Sequence, residues 1–455
     1  MLPEQLFLTL PPLLPEQDEL QPPVLTVLGS IDYRTWRQRL ERIDEILRAS
    51  RVEEAFVRLC LKRRLTEWKQ KAEQAGQPDQ RMCEGDQVLF QRLSSVALRT
   101  TIARTLTGAS FRDFSARLAD SSLLQWFCRL GRLDAVRIPG KSQLQLYQEM
   151  VSESELREVV NSLLDTAAEK DSRLELEEAL DLQTQFLDST CIRLNIHYPT
   201  DWVLLRDAVR TLMKATRLIR KRGLKVRMKE PEVFLKRMNR LSMEMSKQAR
   251  QILDRMDTIL ERLPYALKQA HERIIGERQV SNEEKILSLY EGHAAVYVRG
   301  KAGAEVEFGS QLLLAEAECG LLTDWELVCG NPEHDTVLLK RSLERDGVRR
   351  VKTVVGDRGF DSKMSRELLA SRGIVNAIAP RDPGLLRARL REAPFQQLHQ
   401  RRGQTEARIA IFKNAFLGAP LLAKGYQNQG RLVAWNVLTH NLWLLAGLPK
   451  RARLE

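Results

Sequence analysis

The sequence predicts a multidomain α+β protein: a helical N-terminal region followed by an α/β domain that carries a helical insertion after its first strand. Three observations carry this expectation. Apolar residues recur at three- and four-residue steps through about residue 170. At Leu182 the texture changes to LQTQFLDSTCIRLNI, a strand-like run rich in Phe, Ile, Thr and Leu. After Ala294, β-like runs alternate with helical ones up to a helix over residues 398–416.

A chain of 455 residues is long enough for two or three domains with sizeable cores. Lys plus Arg is 72 against 60 Asp plus Glu, a formal net charge of +12, which suits a polyanionic partner. The six cysteines lack paired short spacings of the zinc or redox kind and read as reduced thiols of a cytosolic protein. The N-terminus has no basic leader and is broken by prolines, so no signal peptide is expected. The apolar run 432–448 contains Asn436, His440 and Asn441, so it reads as a buried helix rather than a membrane span.

In chain order, residues 1–30 read as a flexible Pro-rich arm and 31–170 as a helical region that binds DNA. Trp36, Leu40, Ile43, Ile46 and Leu47 mark its first helix. In the block 93–160, Gly108, Gly131 and Gly140 punctuate short helices, with Ser110, Ser121 and Ser142 placed as N-caps. Arg112, Arg117, Arg129 and Arg132 there fit a helix-turn-helix-like reader, and equally a plain bundle with a charged surface.

Residues 171–450 form the α/β domain, and about 201–290 a basic helical insertion within it. Asp188 sits inside the first apolar strand, where a carboxylate is costly unless paired or holding a metal; a strand-end cap is the other reading. From 201 to 250 there are 15 Lys and Arg against 5 Asp and Glu, which is +10 of the chain's +12. Arg217, Arg220, Lys221, Arg222 and Lys225 in that run suit phosphate contact, the alternative being a solvated helix pair.

Strands are expected over 294–300, 304–320 and 321–330, then a helix with Asp335 as a plausible cap. Val351, Val354 and Val355 make a short buried strand ending at Gly356-Asp357-Arg358-Gly359, and open α/β sheets place their chemistry at such strand ends. A helix to Gly373, a strand over 374–380 and a basic loop over 381–395 follow; Asp361 reads as a helix cap. In the helix 398–416, Arg402, Glu406 and Lys413 lie four and seven residues apart on one side, while Ile409, Phe412 and Phe416 supply an apolar side. Asp188, Asp357 and Glu406 are all oxygen donors, the type that suits Mg²⁺ or Mn²⁺. Two such ions held by shared carboxylates activate a water or a 3′-hydroxyl and stabilise the leaving oxygen of a phosphodiester.

In order, FLDSTCIRLNIHYPTD, VVGDRGF and RRGQTEARIAIFKNAF resemble the first-aspartate strand, second-aspartate strand and glutamate helix of the DDE transposases of bacterial insertion sequences, specifically the ISNCY-type group. The block 93–146 resembles the N-terminal domain preceding many such cores. The resemblance implies an RNase H-like catalytic domain with Asp188, Asp357 and Glu406 as metal ligands. It also implies metal-dependent cleavage at element ends, strand transfer into target DNA, and a homodimer on DNA located in the cytoplasm at the nucleoid. The partner it implies is double-stranded DNA, both terminal inverted repeats and target. A related group shows Y-x2-R-x3-E-x6-K around the glutamate; Arg402, Glu406 and Lys413 match it, with His399 in place of the tyrosine. The alternatives are a catalytically silent transposase-derived DNA-binding protein and an RNase H-like nuclease.

If the run 217–225 contacts phosphates, neutralising Arg220, Lys221, Arg222 and Lys225 together weakens DNA binding and flattens its dependence on salt by up to about 4 in slope. An unchanged slope of log affinity against log salt, measured by fluorescence anisotropy, removes that patch from the interface.

Overall fold

The computed structural model describes residues 27–74, 82–130, 136–169, 172–196, 201, 203–211, 247–301, 304–345 and 351–451. The basic run 212–246, with Arg217, Arg220, Lys221, Arg222 and Lys225, lies outside them, as do Gly131, Arg132 and most of the N-terminal arm.

Among the described residues, seven helices precede the sheet: α1 (Ile31–Ala49), α2 (Val52–Gln74), α3 (Glu84–Thr107), α4 (Phe111–Asp120), α5 (Ser122–Phe127), α6 (Lys141–Gln148) and α7 (Glu153–Ala168). Leu40, Ile43, Ile46 and Leu47 are fully buried, which is the apolar stripe the helical spacing predicts. Ser110 and Ser121 cap α4 and α5 through their hydroxyls, and Gly108 closes α3 in the left-handed region that glycine tolerates. Ser142 is not a cap; α6 starts one residue earlier, after Gly140, whose N–H is received by the Gln143 side chain. Arg99 is fully buried and donates to Asp44 at 2.7 Å and to Glu53 at 2.8 Å, tying α3 to both α1 and α2.

One six-stranded mixed sheet follows. Its centre is β1 (Thr184–Arg193), which runs antiparallel to β3 (Ala304–Ala317) from Gln185 opposite Ala317 to Arg193 opposite Gly309. On its other edge β1 pairs in parallel with β5 (Thr353–Gly356), and β5 in parallel with β6 (Val375–Ile378). The strands β2 (Ala295–Lys301) and β4 (Leu322–Leu327) share the far edge of β3, both antiparallel to it. Between β1 and β2 the described residues are helical over 203–211 and in α8 (Lys247–Ile274). The insertion's helical pattern ends there rather than at Tyr290, and 275–294 is irregular.

Side-chain alternation along the strands builds two buried faces. Leu187, Leu313, Ala315 and Val354 face α9 (Asp335–Glu344) and α10 (Lys363–Ser371). Phe186, Val355 and Ala377 face the other way, onto Phe395 of α12 (Ala393–Ile411), which follows the short α11 (Pro383–Arg389). The segment 381–395, expected as a loop, therefore contains a helix, begun by Asp382 accepting from Leu385 N–H and by Pro383 at its first position. α13 (Tyr426–Leu445) lies deeper on that side, and its buried residues share one apolar cluster with Leu312, Leu314, Trp325 and the N-terminal helices. The helical region and the sheet thus have a continuous core. Among the described residues no helix is long and apolar enough to cross a membrane.

Asn441, in α13, shows why an amide belongs in this apolar helix. Its Oδ1 accepts from Leu322 N–H at 2.9 Å and its Nδ2 donates to Leu322 C=O at 2.8 Å, satisfying the start of β4. We expect Asn441→Leu, which keeps the branching at Cγ but leaves both backbone groups unpaired, to cost about 3 kcal/mol in urea unfolding. A loss below about 0.5 kcal/mol means that the pairing does not stabilise the fold.

Candidate active site

The parallel register between β1 and β5 runs Thr184 to Thr353 and Phe186 to Val355. Continued two residues, it sets Asp188 level with Asp357, one position beyond the end of β5. Asp188 is held by its neighbours along β1: its Oδ1 accepts from Ser189 N–H at 2.9 Å. Asp357 turns the chain, its Oδ1 accepting from Gly359 N–H at 2.7 Å to cap the 3₁₀ turn Arg358–Phe360.

A further carboxylate stands here that the sequence reading misplaced. Asp335 does not cap α9; the cap position is His334, and Asp335 is the first helical residue. Its Oδ1 instead accepts from Ser189 Oγ at 2.7 Å. Gly359 is where the two acids approach: a Cβ on it would lie 2.2 Å from Asp335 Oδ2 and 3.0 Å from Asp357 Oδ1, so the site excludes any side chain at that position. An aspartate two residues before an apolar helical run has the appearance of a cap, and only its hydrogen bond from Ser189 of β1 reveals the other use. Asp361, also expected as a cap, accepts from Arg381 N–H at 2.9 Å and pairs with Arg366 at 3.2 Å, while Ser362 caps α10. Asp201 pairs with Arg273 of α8 at 3.0 Å.

Glu406 approaches from α12. That helix is clamped to the sheet by Glu316, buried in β3, whose Oε1 accepts from Arg401 at 2.5 Å and Arg408 at 2.6 Å. Arg401 also stacks over Phe186, 4.7 Å from its ring centre. Glu406 itself is about half exposed and pairs loosely with Arg402 at 3.4 Å. Ile409 falls next to Arg402 around the helix, on the side away from Glu406, and is buried, so the row carrying Glu406 borders the sheet-facing side rather than opposing it. After Ile411 the chain widens into a π-helical segment, Phe412–Leu417, and Lys413 Nζ donates to Thr190 Oγ1 at 3.0 Å and Cys191 C=O at 2.6 Å. His399 stacks on Phe395 with 5.8 Å between ring centres; burial, then Arg402 and Arg358, hold its pKa below the usual histidine range.

The electrostatics follow from this crowding. Burial first, then the charges of Asp357 and Glu406, push the Asp188 carboxyl up to about 7, against the pull of Ser189 N–H and Arg402. Burial and then Asp357 likewise raise Asp335, opposed by Ser189, His334 and Arg381. The donors are all carboxylate oxygens and their negative charge is incompletely balanced, which fits a hard divalent cation. Among the described residues, however, no group of three or more His, Cys, Asp or Glu is arranged as a finished metal site. Glu406, turned to Arg402, is the member that stands off. A cleft of about 420 Å³ lies elsewhere, between α1, α2 and α3, lined by Arg48, Glu53, Gln91, Arg92 and Arg129.

No protein-family model, curated protein or solved structure matches the chain.

A carboxyl that titrates at about 7 when folded and about 3.9 when unfolded holds an extra proton in the folded state between those values. Stability from this group is therefore greatest below about pH 4 and is lost as pH rises to about 7. We expect Asp188→Asn, with chelator present, to be more stable than the parent by up to about 4 kcal/mol at pH 8, the gap closing towards pH 4. Identical melting of the two proteins at pH 8 contradicts a buried, charge-crowded Asp188.

Proposed function

We propose that the protein is a DNA transposase of the DDE class with an RNase H-like catalytic domain, which cleaves DNA at element ends and joins them to a target. The observation that carries this reading is that Asp188 and Asp357 lie level on adjacent parallel strands, with Glu406 close enough for its charge to be felt at Asp188. The sheet supports it too: the first-aspartate strand is central, with an antiparallel partner on one side and the second-aspartate strand parallel on the other.

Asp188, Asp357 and Glu406 would hold Mg²⁺ or Mn²⁺, which when bound activates a water or 3′-hydroxyl and stabilises the leaving oxygen of a phosphodiester. The protein's own part is to fix the three carboxylates. Ser189 N–H and Gly359 N–H each direct one aspartate oxygen, and the Glu316 clamp sets the helix that carries Glu406. Arg402 balances part of the negative charge, and beside it Arg358 and His399 offer positive and aromatic surface to a phosphate backbone. A homodimer holding two ends is part of the proposal.

The second reading, a silent DNA-binding derivative, draws on Glu406 leaning to Arg402 instead of the aspartates. The third, a nuclease of the same fold, would cut without joining. Labelled end DNA incubated with a target plasmid separates all three, since only a transposase gives joined products.

For the purified Asp357→Ala variant we expect Mg²⁺-dependent cleavage to fall on the order of 10³-fold or more. DNA binding by gel shift should stay close to the parent's. Retained cleavage in that variant would falsify the assignment.

A further inference from the structure

Of the segment between β6 and α12, only Arg381 has entered the site as built so far. Residues 381–392 hold four arginines, Arg381, Arg387, Arg389 and Arg391, against Asp382 and Glu392. Asp382 is occupied in capping α11.

One side of this strap is fixed to the catalytic end of the sheet. Arg381 donates through Nε to Arg358 C=O at 3.1 Å and through a terminal nitrogen to Gly359 C=O at 3.4 Å, on the turn that follows Asp357. Leu386 and Leu390 pack onto Phe186, Val355 and Phe395. Arg389 donates to Asn376 C=O at 2.8 Å and lies 4.1 Å over the Phe395 ring.

The other side is different. Arg387, in α11, and Arg391, in the turn that follows it, are exposed, and neither makes a side-chain hydrogen bond or ion pair with any described residue. Arg358, exposed beside Asp357, is in the same condition. Arg358 adjoins Asp357 in the chain, and long, charged side chains kept unpaired gain nothing from the fold. They do suit a ligand that the carboxylates alone would repel. Guanidinium is the group that binds phosphate oxygens in pairs, so exposed, unpaired arginines suit the phosphates of a nucleic-acid strand.

We infer that Arg387 and Arg391, with Arg358, form the track that holds the phosphate backbone of the DNA strand entering the carboxylate site. This rests on the DNA reading above. The strap's inner contacts hold the track in place without a ligand, so the strand meets a preformed surface.

The test uses the full chain and a random-sequence duplex, without metal, followed by fluorescence anisotropy from about 0.05 to 0.2 M salt. The Arg387→Gln/Arg391→Gln double variant should lose about 2 from the salt slope and about tenfold in affinity at the lower salt. Arg387→Lys/Arg391→Lys should keep the slope, because it keeps the charge. Lys340→Gln/Lys363→Gln, on the helices of the opposite sheet face, should match the parent. A parent that binds and a Gln pair indistinguishable from the lysine control overturns the track while leaving the transposase reading in place. A parent with no salt-dependent binding overturns both. An unchanged melting temperature in the Gln pair shows that any loss is not a folding defect.

Discussion

Everything at the carboxylate end of the sheet depends on one constraint: β1 is the central strand, paired on both edges, and it carries a carboxylate in its interior. A strand so placed cannot shift to expose Asp188, because a slip would break the ladder to β3 along nine residue pairs as well as the parallel pairing to β5. The charge must therefore be managed where it stands. Alternation along the strand divides the work, with Asp188 on the face of α12 and Ser189 on the face of α9. Ser189 serves both, giving its N–H to Asp188 and its hydroxyl to Asp335, so two acids on opposite faces are linked through a single residue.

The helices that complete the site are held by buried polar clamps rather than by apolar contact alone. Glu316 accepts from Arg401 and Arg408; Asp324, fully buried in β4, accepts from Arg157, Ser342 and Arg345. A buried ion pair adds little net stability against an apolar replacement, but losing one partner is costly because the other charge is left unpaired. Such clamps therefore select one helix position over its neighbours. Through Asp324 the selection reaches across the molecule, since Arg157 belongs to the N-terminal helix α7 and Arg345 closes α9, whose first residue is Asp335. The shared cluster around α13 points the same way, joining the N-terminal helices to the sheet in one core.

How much of this was legible in the sequence depended on how local the cause was. The strand around Asp188, the turn at Asp357 and the helix around Glu406 are all signalled by short-range pattern, and all three form. Asp335 was legible only as a cap, because helix starts attract aspartate and nothing local distinguishes an acid that turns to a strand 146 residues earlier. Glu316 read as an ordinary charge near a strand end, since its partners lie 85 and 92 residues on. The helix α11 was hidden by its arginines, which resemble a solvated loop until Leu386 and Leu390 are seen to pack. Ser142 failed as a cap for a local reason: Gly140 already supplies the extended backbone, and the Gln143 side chain receives its N–H.

The π-helical segment resolves what the spacing of Arg402, Glu406 and Lys413 left open. A regular helix carrying those residues on one row would send Lys413 along the surface with the others. Widening after Ile411 instead lets Lys413 reach Thr190 and the carbonyl of Cys191, the residues two and three beyond Asp188 on the same strand. Seven residues before it, Glu406 is then held relative to Asp188 from both directions: by the Glu316 clamp on β3 and by Lys413 on β1 itself. π-segments cost hydrogen-bond regularity and recur at functional sites, where a small local misfit re-aims a side chain. Here the misfit fastens the helix of Glu406 to the strand of Asp188, and the remaining freedom lies in the Glu406 side chain, half exposed and paired with Arg402 at 3.4 Å.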